Sequence, residues 1–283
     1  MSIKVYAPNT GKGQIGGGFR FHDNFLKGMA NKVQFVRTWE ECDIFFISGV
    51  TTTVKEEVYE ANKAGKKIVL RIDNVPRKSR NRRSSPHERI KEFADMASVC
   101  IYQSEWAKDY CQTLGGDGTV IYNGVDTELF KSKLDVRKHN RYLFAYHGKN
   151  EQKNFWEAHL RFQYIFRKDK DAEFWFIYDF GKDLHELQVA NFDFWNGENY
   201  KHIEKCESAE DMVEVLQQCR HLIYPAIADA SPNIVLEALS CGLEVIHTAS
   251  PELAGTRELL LPNLDISLER MCDEYYGVFQ LLV

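Results

Sequence analysis

The sequence predicts an α/β protein built from two similar halves, each a parallel sheet covered by helices. Three observations predict it. Short runs rich in β-branched and aromatic residues alternate with longer amphipathic runs. A polar stretch, "KSKLDVRKHN" at 131–140, breaks the pattern. The alternation then restarts, so it describes two sheets joined by a linker near 123–140.

In the first half the strands are "IKVYA" (3–7), "VQFV" (33–36), "DIFFI" (43–47), "KIVLRI" (67–72), "SVCIY" (98–102) and "GTVIY" (118–122). Each is a short apolar run, the size of one strand. Between them "VKEEVYEANKAG" (54–65) reads as a helix, closing on Lys63 and then Gly65, a C-terminal stop. The second half gives "YLFAYHG" (142–148), a helix over 153–167, "EFWFIY" (173–178) and a helix over 209–219. It continues with "HLIYPA" (221–226), a helix over 232–241 and "LEVIHT" (243–248).

A chain of 283 residues suffices for two such domains, each with its own core. The net charge of −5 excludes a protein that coats nucleic acid generally, while leaving local basic patches open. Seven cysteines are scattered, odd in number and never spaced C-x-x-C. That argues for a reducing, cytoplasmic setting with no disulfide framework and no metal site. With no signal peptide and no apolar run near 18 residues, the expectation is a protein without a membrane span, attachment to a membrane surface staying open.

The stretch "TGKGQIGGGF" (10–19) follows the first strand, and Gly11, Gly13 and Gly16 match G-x-G-x-x-G. A dinucleotide site needs its first glycine at the strand end and an acidic residue closing the second strand. Here Pro8, Asn9 and Thr10 intervene, and the second strand runs into Arg37, Thr38 and Trp39. One property survives whatever the ligand. Gly16, Gly17 and Gly18 have no Cβ, so backbone can approach a ligand and N–H groups can face an anion. The plainer alternative is a mobile surface loop.

The stretch "YPAIADASPNIVLEALSCGLEVI" (224–246) resembles the donor-binding segment of retaining family-4 glycosyltransferases (glycosyl transferases group 1). The family's spaced acidic pair falls on Asp229 and Glu237, with Ser231, Pro232 and Asn233 opening the helix between them. "YHGKNEQKNFWEA" (146–158) looks like the family's G-R-x-x-x-K-G segment, placing Gly148, Lys149 and Lys153. "VIYNGVDTELF" (120–130) resembles its V-I-x-N-G-V-D-x-x-x-F junction, and "AGTRELL" (254–260) its G-G-x-x-E-L segment.

The resemblance implies the GT-B fold: two Rossmann-like domains facing each other across a cleft, the N-terminal one short. The domains would span 1–122 (acceptor) and 123–265 (nucleotide-sugar), with 266–283 a helix crossing back to the first. It also implies a transferase that needs no metal and no cofactor. Its donor substrate would be a UDP- or GDP-sugar and its acceptor a hydroxyl. Asp229 would hold the transferred sugar and Glu237 the ribose, while Ser231 and Asn233 N–H groups face the diphosphate. Lys149 and Lys153 would neutralise the leaving diphosphate. Gly16 to Gly18 would then form a phosphate loop. Two departures stand out: aspartate at 229 is shorter than the family's glutamate, implying a changed donor sugar, and lysine at 149 replaces arginine, losing a two-pronged donor.

On the acceptor side, "RIDN" loosely resembles an R-x-D-G element, which nominates Asp73, with a strand-end cap as the alternative. Arg77 opens a basic run, 77–91, that ends at Lys91 and includes His87. It reads either as a solvated loop or as a guide for an anionic acceptor: lipid phosphate, phosphorylated glycan or nucleic acid. His87 and His22 have plainer readings as helix residues. Two other functions fit the resemblance: a nucleotide-sugar epimerase, or a catalytically silent sugar-nucleotide-binding module.

Overall fold

The computed structural model describes residues 2–10, 17–73, 86–133, 140–146, 153–178, 199–203, 205–227, 229–247 and 254–283. The apolar runs form two all-parallel sheets, and strands covered on both faces need no polar alternation. Thus "IFFI" of strand β3 is buried at every position.

The first sheet contains β1 (Lys4–Tyr6), β2 (Gln34–Phe35), β3 (Ile44–Ile47), β4 (Lys67–Ile72), β5 (Val99–Tyr102) and β6 (Thr119–Val120), in the order β2-β1-β3-β4-β5-β6. Its helices are α1 (Gly17–Met29), α2 (Lys55–Lys63), α3 (Pro86–Ala94) and α4 (Glu105–Gly115). Local chemistry sets their ends. Gly65 takes φ 74° just past α2, where only glycine is unstrained. The Ser104 side chain accepts a hydrogen bond from Ala107 N and caps α4.

The second sheet contains β7 (Arg141–Tyr146), β8 (Glu173–Tyr178), β9 (Tyr200–Ile203), β10 (His221–Tyr224) and β11 (Glu244–His247), ordered β11-β10-β7-β8-β9. With it go α5 (Phe155–Lys168), α6 (Ala209–Gln217) and α7 (Asn233–Ser240). Ser208 and Asp211 form a reciprocal capping box at the start of α6. The aromatic core of this sheet includes Phe144, Phe155, Phe162, Phe174 and Phe176.

Two last helices, α8 (Ala254–Glu258) and α9 (Leu268–Leu282), end the chain. Tyr275 and Phe279 of α9 pack with Phe21, Phe25 and Phe46, the Phe46 and Tyr275 rings lying 5.5 Å apart. Gly28 makes the close approach of α1 to α9 possible, since a Cβ there would lie 2.4 Å from Cys272 Sγ.

The chain divides into two compact units: Met1–Asp126 with Asp229–Asn233 and Ala254–Val283, and Thr127–Ala228 with Ile234–Leu253. This differs from the boundaries expected at 122/123 and 265/266, because 123–126, 229–233 and 254–265 group with the first unit. The reasons are local. Arg270 donates to Tyr122 O and Asn123 O, both at 2.9 Å. Ala230 is buried in the first unit's core. The Glu258 carboxylate accepts from Glu105 N and Trp106 N at the start of α4 and from the Tyr122 hydroxyl. All seven cysteines are buried thiols outside any disulfide. Among the described residues no helix is long and apolar enough to cross a membrane.

Candidate functional site

Open parallel sheets bind ligands outside the carboxyl ends of their strands, where the strand order reverses direction. In the first unit that point lies between β1 and β3. The helix after β1 and the loop after β3 meet there. Gly17 and Gly18 form the first turn of α1, so they belong to a helix rather than to the loop expected from the sequence. Asp73, just past β4, turns its carboxylate toward both: a Cβ built on Gly49 would lie 3.2 Å from Asp73 Oδ2, and one on Gly18 4.0 Å. Glycine at 49 thus keeps room for the carboxylate. His22, buried on α1, shares a 3.0 Å hydrogen bond between its Nδ1 and Ser48 Oγ. Burial pushes the His22 imidazole below its ordinary range, favouring the neutral ring.

Beneath these groups lies a buried polar chain. The Arg71 guanidinium sits 3.6 Å from the Phe21 ring centroid and donates to Ser48 O at 3.1 Å. It also donates to Gln103 Oε1 at 2.6 Å and to Asn123 Oδ1 at 3.1 Å. Burial lowers its pKa, opposed by Tyr275 and by the negative charge of Asp73. Asn123 Nδ2 in turn donates to Ser231 O and Asn233 Oδ1, each at 3.0 Å, and Asn233 Nδ2 donates to Gly17 O at 3.0 Å. Gly124 is tightly packed within the first unit: a Cβ there would lie 2.6 Å from Ser267 O.

In the second unit the strand order reverses between β7 and β10. Lys153, which follows β7, donates to the hydroxyl of Tyr224, which ends β10, at 2.7 Å. Tyr224 is fully buried, so it fixes the ammonium group at the reversal point. Glu237 lies one turn inside α7 and is 3% exposed, an unusual position for a carboxylate. This arrangement offers a lysine held at the carboxyl end of the sheet and, in the same unit, a buried carboxyl group.

The residues proposed from sequence fall into three groups. Gly17, Gly18, Asp73, Ser231 and Asn233 lie in the first unit, linked by the contacts above, together with Asp229 on the same short segment. Pro232 is buried immediately before α7, and His87 is the second residue of α3, half-buried. Lys153 and Glu237 lie in the second unit. Gly16, Arg77, Gly148 and Lys149, and most of the basic run, lie outside the described residues. Sequence reasoning missed Tyr224, Asn123, Gln103 and Arg71. The signals were present: a tyrosine ending a buried strand, the asparagine inside "YNGVD", and an arginine within the apolar run "KIVLRI". Among the described residues no group of three or more His, Cys, Asp or Glu side chains is arranged to hold a metal ion.

No family model and no curated protein matches the chain. Solved structures do. Anabaena Alr3699/HepE, in complex with UDP and glucose, is 12% identical with a TM-score of 0.66, covering 99% of this chain and 89% of that one. AviGT4, a glycosyltransferase involved in avilamycin A biosynthesis, is 14% identical with a TM-score of 0.66, covering 99% and 98%. A Listeria monocytogenes protein assigned as a UDP-N-acetylglucosamine 2-epimerase is 14% identical with a TM-score of 0.56, covering 99% and 88%. The fold of this chain is therefore the GT-B fold, with two Rossmann-like units.

Proposed function

We propose that the protein is a retaining glycosyltransferase of the family-4 type, moving a sugar from a UDP-sugar to an acceptor hydroxyl. The observation that carries this reading is Lys153, held by buried Tyr224 at the strand-order reversal of the second sheet, in the unit that also buries Glu237. A fixed cation at that position suits a leaving diphosphate, whose charge grows as the glycosidic bond breaks. Lys149 assists it. Glu237 accepts hydrogen bonds from the ribose hydroxyls, and Asp229 orients the transferred sugar. Ser231 and Asn233 bring the start of α7 to the diphosphate, with Pro232 stiffening the approach.

On the acceptor side Asp73 hydrogen-bonds the incoming hydroxyl, beside Gly17 and Gly18, and His87, together with Arg77 of the basic run, serves an anionic group on the acceptor. In same-face substitution the departing diphosphate takes the acceptor proton, so no enzyme nucleophile is needed. The UDP preference is supported by the similarity to HepE, whose structure holds UDP and glucose.

The similarity to the assigned 2-epimerase favours one second reading, epimerisation of the sugar nucleotide itself. Incubation with UDP-glucose or UDP-N-acetylglucosamine, with and without a panel of hydroxyl acceptors, separates the two. Acceptor-dependent release of UDP with a new glycoside supports transfer. An inverted sugar nucleotide formed without acceptor supports epimerisation and overturns the transferase.

A further inference from the structure

We infer that Arg71, Gln103 and Asn123 are positioning residues, a directional hydrogen-bond chain that sets the Asp229–Asn233 segment from beneath. This rests on the reading of that segment as donor-binding. The direction follows from chemistry. A guanidinium has donors only, so every amide side chain that hydrogen-bonds to Arg71 must turn its oxygen toward it. Gln103 therefore presents Oε1 (2.6 Å) and Asn123 presents Oδ1 (3.1 Å). The Gln103 amide nitrogen is then left to donate to Ile72 O at 3.0 Å.

With its oxygen committed, Asn123 can only donate to the other side. Its Nδ2 meets Ser231 O and Asn233 Oδ1 at 3.0 Å each, and Gln103 Oε1 at 3.2 Å. Asn233 accepts on its oxygen and so turns its own nitrogen to Gly17 O at 3.0 Å. One buried cation thus fixes the orientation of three amides in series. Its last link ties Asn233 to the first turn of α1. Two segments far apart in sequence, both expected to approach phosphate, are held in one register by a charge that touches neither.

Asn123→Asp tests this with almost no change in volume. The carboxylate still pairs with Arg71 but turns an acceptor toward three acceptors, Ser231 O, Asn233 Oδ1 and Gln103 Oε1. We expect hydrogen exchange of backbone amides over 229–240, followed by mass spectrometry without ligand, to quicken at least tenfold. Peptides covering β4 and β5 should keep the wild-type rate. In the UDP-glucose assay the donor KM should rise at least tenfold, with acceptor KM unchanged.

Asn233→Asp, at a half-exposed position, removes only the final donor to Gly17. It should quicken exchange over 17–20 and 229–240 even if Asn123→Asp fails to fold. Wild-type exchange over 229–240 in Asn233→Asp overturns the inference. So does a lowered kcat with an unchanged donor KM in Asn123→Asp, because a merely structural role reduces only the amount of folded enzyme. If the wild-type protein turns over no sugar nucleotide, the functional reading fails, and the exchange measurement alone still decides whether the chain sets the segment.

Discussion

Gly255→Ala perturbs the segment carrying Asp229 without removing any functional group. A Cβ at 255 would lie 2.4 Å from both Asp229 O and Ala230 O, and 2.9 Å from the Ala230 carbonyl carbon. Ordinary carbon–oxygen contact is about 3.3 Å, so the overlap is about 0.9 Å and falls on backbone, which cannot rotate away. Either α8 or the 229–230 backbone must move by about an ångström. Overpacking of this kind costs about 1–3 kcal/mol. For a chain of this size that lowers Tm by about 2–12 °C, leaving the protein folded at 20 °C. Displacing a substrate-orienting group by about 1 Å costs about 10²-fold in rate. Initial rates of UDP release at 20 °C, beside Tm from scanning calorimetry, should show a loss of rate far beyond any loss of folded protein. Gly277→Ala is the control: nothing lies within 4 Å of its Cβ, so it should gain about 0.5–1 kcal/mol and keep its activity. A Gly255→Ala protein with lowered Tm and the wild-type rate would refute the reasoning.

Three further outcomes are expected. Lys153→Ala should cut transfer about 10²–10³-fold while circular dichroism stays unchanged, and full activity would remove the lysine from the leaving-group site. Glu258→Gln weakens three hydrogen bonds and removes a negative charge from the start of α4, so denaturant unfolding should show a loss of about 1–2 kcal/mol; unchanged stability would deny Glu258 this anchoring role. His159 is held neutral by burial, its pKa lowered from 6.5 to about 4. The native state then binds fewer protons than the unfolded chain between these values. Stability is whole above pH 6.5 and falls by about 3 kcal/mol as pH drops toward 4. His159→Phe should flatten that acid limb in urea titrations at each pH, and an unaltered limb would assign it to other groups, among them His22 and His221, which burial lowers in the same direction.

The sheets were the most legible part of the sequence, because strands buried on both faces must be written as uninterrupted apolar runs. "KIVLRI" and "EFWFIY" end where the strands do, at Ile72 and Tyr178. β9 was not read: "YKHI" carries a lysine and a histidine and lies at the edge of its sheet. The start of α1 was read as loop because two glycines opened it, although a helix's first turn tolerates them when its N–H groups face outward. Unit membership was harder. Asp229–Asn233 joins the first unit through Asn123 and Gly255, contacts across more than twenty residues that no local pattern records. The buried chain from Arg71 was illegible for the same reason. An arginine within an apolar run signals burial, but its partners at 48, 103 and 123 become neighbours only once the sheet order is known.

The central claim is that the second unit binds a uridine diphosphate through Glu237 and Lys153, and calorimetric titration with UDP tests it most directly. Wild-type protein should bind one UDP saturably, and Glu237→Gln, which keeps the side-chain volume, should bind at least tenfold more weakly with an unchanged Tm. No saturable binding by the wild type, or equal affinity in the variant, would contradict the account.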